Sequence, residues 1–204
     1  MKLLVVSDEE SEYIWNYFDP AAFQGVEVIL SCGDLQARYL EFLVSMIPAP
    51  LFYVPGNHDK SYQKQPPEGT EDIDCKLITY KGLRILGIGG CKSSRDALHE
   101  YTEEAQQRRV RKLNKAIRRA GGFDILLTHT AAEGLGDGDD QFHKGFAVYR
   151  DLLEQYQPQY HLFGHQHKRY AARATGPALH GKTQLVNACG YRILEYRTDV
   201  PAQD

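Results

Sequence analysis

The sequence predicts a single α/β domain. Apolar, β-rich runs alternate with amphipathic helical patterns along the whole chain. Five of those runs end in side chains of metal-ligating type, and no Pro/Gly/Ser-rich linker or internal repeat divides residues 1–204. The 204 residues carry a net charge of -3 with 42% hydrophobic and 25% charged residues, an ordinary composition for a globular domain. That charge gives no global basic field and disfavours broad nucleic-acid binding. The opening MKLLVVSDEE has too short an apolar run for a secretion signal, and no run is long enough to span a membrane. A cytoplasmic protein is expected. Four cysteines without a Cys-x-x-Cys pair give no support to a zinc ribbon or a dithiol redox motif.

Lys2–Ser7 reads as a buried strand, and residues 12–18 as a short helix with Ile14, Trp15 and Phe18 as its stripe. Val26–Ser31 is a second strand, residues 35–47 a helix stopped by Pro48 and Pro50, and residues 51–54 a third strand. Residues 60–74, polar and carrying Pro66, Pro67 and Gly69, read as an exposed loop. Residues 75–80 and Leu83–Ile88 form a hairpin turned at Lys81-Gly82. Residues 87–91 are glycine-rich, either a plain turn or a source of backbone amides for an anion.

Glu103–Ala120 is the clearest helix: Thr102 caps it, Val110, Leu113 and Ile117 form its stripe, and Gly121-Gly122 stops it. Its arginines read as a solvated face. Residues 124–128 are a strand, followed by a glycine-rich loop over 134–138 and a helix over 146–156. Tyr160–Phe163, residues 169–174, Thr183–Asn187 and residues 191–196 supply the remaining strands. Residues 136–140 are acidic and glycine-rich but lack the full EF-hand pattern; with His143 they are expected to line the cleft.

The five strand ends carry the chemistry. They deliver Asp8-Glu9-Glu10, Gly33-Asp34, Gly56-Asn57-His58-Asp59, His129 and Gly164-His165-Gln166-His167. In an α/β sheet ligands bind where strands present their carboxyl ends, so residues distant in sequence can converge. Carboxylates, imidazoles and an amide oxygen suit hard or borderline dications, and the absence of cysteine argues against a purely structural zinc.

This ordered series resembles the signature of the calcineurin-like metallophosphoesterase family, spanning residues 8 to 167. The resemblance implies a four-layer α/β/β/α sandwich, two packed mixed β-sheets flanked by helices. It also implies a phosphoesterase with two divalent metal ions, manganese first, with iron, zinc, nickel or magnesium as alternatives. Asp8 and His167 would hold one ion, Asn57, His129 and His165 the other, and Asp34 would bridge them. A hydroxide bridging ions about 3.5–4 Å apart would attack in line. His58 would contact substrate and protonate the leaving oxygen, with Asp59 orienting it; Asn57 and His143 would also touch substrate. The family's first motif is Asp-x-His, whereas Glu10 stands at the histidine position here. Glutamate there would add a negative charge and favour harder ions such as manganese or magnesium. The substrate implied is a small phosphodiester or phosphomonoester, nucleotides included. The alternative is a metal-binding scaffold with little catalysis, which Glu10 favours and His58 with Asp59 opposes.

Overall fold

The computed structural model describes residues 1–166 and 178–197. The expected ligand His167 and the expected strand over 169–174 lie outside the described residues.

The first strand, β1 (Lys2–Ser7), leads to the one-turn helix α1 (Glu12–Asn16) and to β2 (Val26–Ser31). Helix α2 (Ala37–Met46), β3 (Leu51–Tyr53) and the edge strand β4 (Thr70–Asp72) complete that half. The second half contains β5 (Lys76–Tyr80), β6 (Leu83–Ile88), a minor pair β7 (Cys91–Lys92) and β8 (Glu100–Tyr101), and the long helix α3 (Glu103–Ala120). It ends with β9 (Ile125–Thr128), α4 (Ala147–Tyr156), β10 (Tyr160–Phe163), β11 (Ala178–His180), β12 (Thr183–Asn187) and β13 (Gly190–Glu195).

Two large mixed sheets result, ordered β13-β1-β2-β3-β4 and β11-β12-β10-β9-β6-β5. Within the first, β1 to β4 run parallel and β13 pairs antiparallel with β1, from Lys2↔Glu195 to Ser7↔Gly190. In the second, β6, β9, β10 and β12 run parallel. Strands buried on both faces need continuous apolar runs rather than alternation, as in KLLVVS and VEVILS. Leu3, Val5, Val28 and Leu30 meet Ile85, Ile125, Leu127 and Leu162 between the sheets. On the outer faces Leu4 and Val6 pack with Tyr39, Leu40 and Leu43, while Leu86 and Leu126 pack with Val110, Leu113 and Leu153. Three apolar layers between four structural layers give the sandwich that the resemblance implies.

Local signals behave as their chemistry dictates. Thr102 Oγ1 accepts the Ala105 N–H at 3.2 Å, and Gly121 closes α3 at φ 69°. Lys81 and Gly82 both take positive φ, the twist a two-residue hairpin requires.

Several expectations change. The exposed loop over 60–74 contains β4, whose short polar TED carries no apolar period but completes the sheet edge. The amides of the 87–91 turn are already engaged: Gly89 with Asp74 Oδ1, Gly90 with the Pro55 carbonyl and Cys91 with the His99 carbonyl. No anion nest remains there. The solvated arginine face also has an exception. Arg109 lies against Asp74 at 2.5 and 2.7 Å, donates to the Gly89 carbonyl at 2.9 Å, and stacks over Tyr101. Its side chain is only 14% exposed. Arg109→Ala would leave Asp74 without its countercharge inside the fold, so a loss of about 3 kcal/mol is expected. Chemical denaturation measures it, and a change below about 1 kcal/mol would show the pair to be a surface contact.

Candidate metal centre

Three site residues follow their strands in the left-handed backbone region: Asp8 at φ 61°, Asp34 at φ 57° and His165 at φ 63°. Asp8 comes directly after β1, and Asp34 and His165 come three and two residues after the ends of β2 and β10. The glycines of the motifs serve close approach. A Cβ on Gly56 would overlap Asp34 Oδ1 and lie 2.6 Å from His129 Cε1, and one on Gly164 would overlap Ser7 Oγ and Asp8 Oδ2.

His129 is completely buried, and its Nδ1 donates to the Cys32 carbonyl at 2.7 Å. The tautomer is thereby set, and Nε2 presents its lone pair inward. That nitrogen lies 3.2 Å from Asn57 Oδ1 and 3.3 Å from Asp34 Oδ2. His165 is fixed in the same manner: its Nε2–H donates to the Phe142 carbonyl at 2.8 Å, leaving Nδ1 as a lone pair. Asp34, His129 and His165 each offer a ligand atom within 4.8 Å of the others'. Lone pairs facing one another inside a protein repel unless a cation sits among them. The donor set therefore fits a divalent metal ion, with two imidazoles tied to backbone carbonyls as metal-binding histidines are.

Titration properties reflect the same convergence. Burial opposes charge on His129, but the Asp34 carboxylate, followed by Asp8, outweighs it and raises the imidazole to about 9. Burial also opposes ionisation of Asp34, yet His129 and the His58 N–H hold it down at about 2. Burial raises Asp8, and burial, followed by the charge on His129, lowers His165 to about 4. In the metal-free protein a proton on His129 fills the gap. Its folded value lies above the ordinary 6.5, so its contribution to stability is complete below pH 6.5 and lost as pH rises through about 9. Melting temperature in chelator is therefore expected to fall across that window, and a divalent ion to remove the fall. A flat profile in chelator would contradict the lone-pair arrangement.

The remaining expected residues divide. Asp8 joins the site, both carboxylate oxygens accepting the His165 N–H at 2.9 and 3.0 Å. Asn57 is part of the cluster. The His58 ring stands over the site with its side chain 80% exposed and Nε2 4.0 Å from Asp34 Oδ2. Asp59 does not meet that ring by any hydrogen bond among the described residues. Its Oδ2 accepts the backbone N–H groups of Asp34 at 2.7 Å and Gly56 at 2.8 Å. Glu10, which like Asp8 is not in the Asp34–His129–His165 group, lies on the wall of a groove shared with Ser11, Tyr13, Tyr191 and Arg192. His143 sits beside His165 with ring centroids 5.2 Å apart, its Nδ1 held by Asp140. The acidic loop stabilises its own turn, since Asp137 accepts the Gly134 and Gly145 amides. Sequence reasoning missed the Cys32 and Phe142 carbonyls, which set both histidine tautomers. Backbone acceptors have no residue-type signature, so nothing in the sequence marks them.

Comparison with known proteins agrees with this geometry. Residues 1–169 match the model of the calcineurin-like phosphoesterase family. UPF0046 protein K07C11.7 of Caenorhabditis elegans is 28% identical over 219 residues, covering 92% of this chain and 69% of that protein. UPF0046 protein C25E10.12 of the same organism is 24% identical, covering 80% of this chain and 65% of that protein. The chain thus spans about two thirds of the length of these relatives. TT1561 of Thermus thermophilus shares the fold at a TM-score of 0.59 and 15% identity, over 93% of this chain and 89% of that one. Another solved structure reaches a TM-score of 0.67 at 14% identity, over 95% and 94%. With the family model covering most of the chain and the strand-end cluster in place, the chain belongs to the calcineurin-like phosphoesterase family.

Proposed function

We propose that this protein is a metal-dependent hydrolase of small phosphodiesters or phosphomonoesters, nucleotides included. The observation that carries the reading is the inward convergence of His129 Nε2, Asn57 Oδ1 and Asp34 Oδ2 within 3.3 Å of the imidazole nitrogen. Two divalent ions, manganese foremost, would neutralise the phosphoryl oxygens and activate a water for in-line attack. Asn57, His129 and His165 would hold one ion, Asp8 and His167 the other, with Asp34 shared between them. Glu10 is the proposed extra ligand on the Asp8 side, reached from the groove wall it occupies.

The residues themselves supply orientation and proton transfer. Asp34 is held from behind, because its Oδ1 accepts the His58 N–H at 2.8 Å. Its Oδ2 is therefore left facing both His129 and the His58 ring. The exposed His58 ring is free to swing to a leaving oxygen and deliver a proton from Nε2, which matters most for poor alkoxide leaving groups. His143, beside His165, is the proposed outer substrate contact. No helix among the described residues is long and apolar enough to cross a membrane; a cytoplasmic location is part of the same proposal.

Hydrolysis of bis(p-nitrophenyl) phosphate and p-nitrophenyl phosphate with manganese, nickel, zinc and magnesium tests the reading. Turnover that chelator abolishes is expected. Metal binding without turnover under every metal would overturn it in favour of a scaffold. His58→Ala is expected to lose about 10²–10⁴-fold on alkyl esters and much less on p-nitrophenyl esters, whose leaving group needs no proton. Equal losses on both would remove His58 from the acid role.

A further inference from the structure

We propose that Asp59 is a positioning residue that clamps the two metal-ligand loops together, acting as a backbone acceptor and not as the partner of the His58 imidazole. This inference rests on the phosphoesterase reading of the site, and deepens it.

The geometry is reciprocal. Asp59, in the loop after β3, accepts the Asp34 N–H at 2.7 Å through Oδ2, and that same oxygen accepts the Gly56 N–H at 2.8 Å. In the opposite direction Asp34, in the loop after β2, accepts the His58 N–H at 2.8 Å. Each carboxylate thus stitches the other's loop to its own. The loops are already in contact, since a Cβ on Gly33 would lie 2.9 Å from both the Pro55 carbonyl carbon and the Val54 oxygen. Asp59 is 3% exposed whereas the His58 side chain is 80% exposed, so the carboxylate lies beneath the loops and the ring above them.

The clamp has a definite consequence for the ligands. Asp34 sits at φ 57°, and the N–H fixed by Asp59 is its own. Releasing that bond frees the strained residue to rotate, and Asp34 Oδ2 then leaves its place opposite His129 Nε2. Asn57 lies between the second clamped amide, Gly56, and Asp59 itself, so its Oδ1 loses its fixed distance as well.

The discriminating pair is Asp59→Asn and Asp59→Ala. An asparagine oxygen has two lone pairs and can accept both amides, but carries no charge to share with an imidazole. Amide hydrogen exchange in chelator reads the clamp without any metal, and Mn²⁺ titration reads the ligands without turnover. Asp59→Ala is expected to lose protection at the Asp34 and Gly56 amides and to bind Mn²⁺ about 10–100-fold more weakly, while Asp59→Asn keeps both within about threefold. Turnover of alkyl esters by Asp59→Asn is expected to follow its Mn²⁺ affinity. Should Asp59→Asn keep its amides and its Mn²⁺ affinity yet lose alkyl-ester turnover as His58→Ala does, Asp59 serves the imidazole and the proposal fails. Wild-type amide protection and affinity in Asp59→Ala would sink it equally. If Asp59→Ala does not fold, Asp59→Asn decides on the same readouts, unprotected amides counting against the clamp. Protected amides in a wild type that binds no Mn²⁺ would support the clamp while removing the hydrolase reading.

Discussion

Gly56→Ala is expected to remove divalent-metal binding and phosphoester hydrolysis together. The added methyl would overlap Asp34 Oδ1 and lie 2.6 Å from both Asp34 Cγ and His129 Cε1. Neither neighbour can yield locally. Asp34 is pinned by the His58 N–H, and the His129 ring by its bond to the Cys32 carbonyl. The clash is resolved only by separating the loops, with about 1–3 kcal/mol of overpacking strain and the loss of the ligand geometry. Mn²⁺ titration beside a thermal melt checks this. A variant that binds Mn²⁺ as the wild type does would show that the loops have slack.

Asp34→Asn is the second large effect. The change is nearly isosteric, so packing is retained, but the carboxylate facing His129 loses its charge. Several kcal/mol of charge stabilisation disappear, and turnover is expected to fall on the order of 10³-fold. The same substitution removes the main influence that holds the His129 imidazole near 9 in the metal-free protein against the opposing effect of burial, so its titration should move down. Steady-state kinetics read the first effect and ¹⁵N-histidine NMR in chelator the second. Turnover within about tenfold of wild type would exclude a central role for Asp34.

Much of this was legible in the residues, and the exceptions have physical reasons. β1, β2 and β10 are readable because strands buried on both faces carry near-continuous apolar runs. Helix α3 carries both a stripe and caps, and its bounds follow from them. β4 and β11 escaped because short edge strands bury little and show no period. At the site, side chains that chemistry requires were visible by type, which is why Asp34, Asn57, His129 and His165 could be named. The backbone contacts of Asp59 were not visible. A carboxylate beside a histidine suggests an imidazole partner, and only the fold shows it reaching beneath to the Asp34 and Gly56 amides. Arg109 misled for a related reason: on a helix rich in arginine, nothing local distinguishes the one that turns inward to Asp74.

The left-handed turns at Asp8, Asp34 and His165 set chemistry against endurance. An L-residue with a side chain pays about 1–2 kcal/mol for that conformation, less for aspartate and histidine than for β-branched residues. Glycine or asparagine would sit there more comfortably. Selection for heat resistance alone would therefore drift towards those residues at positions 8, 34 and 165, and would dismantle the ligand cluster in doing so. Hardened variants that retain all three must draw their gain from elsewhere in the sandwich, and unchanged residues at these positions mark a lineage still selected for its site.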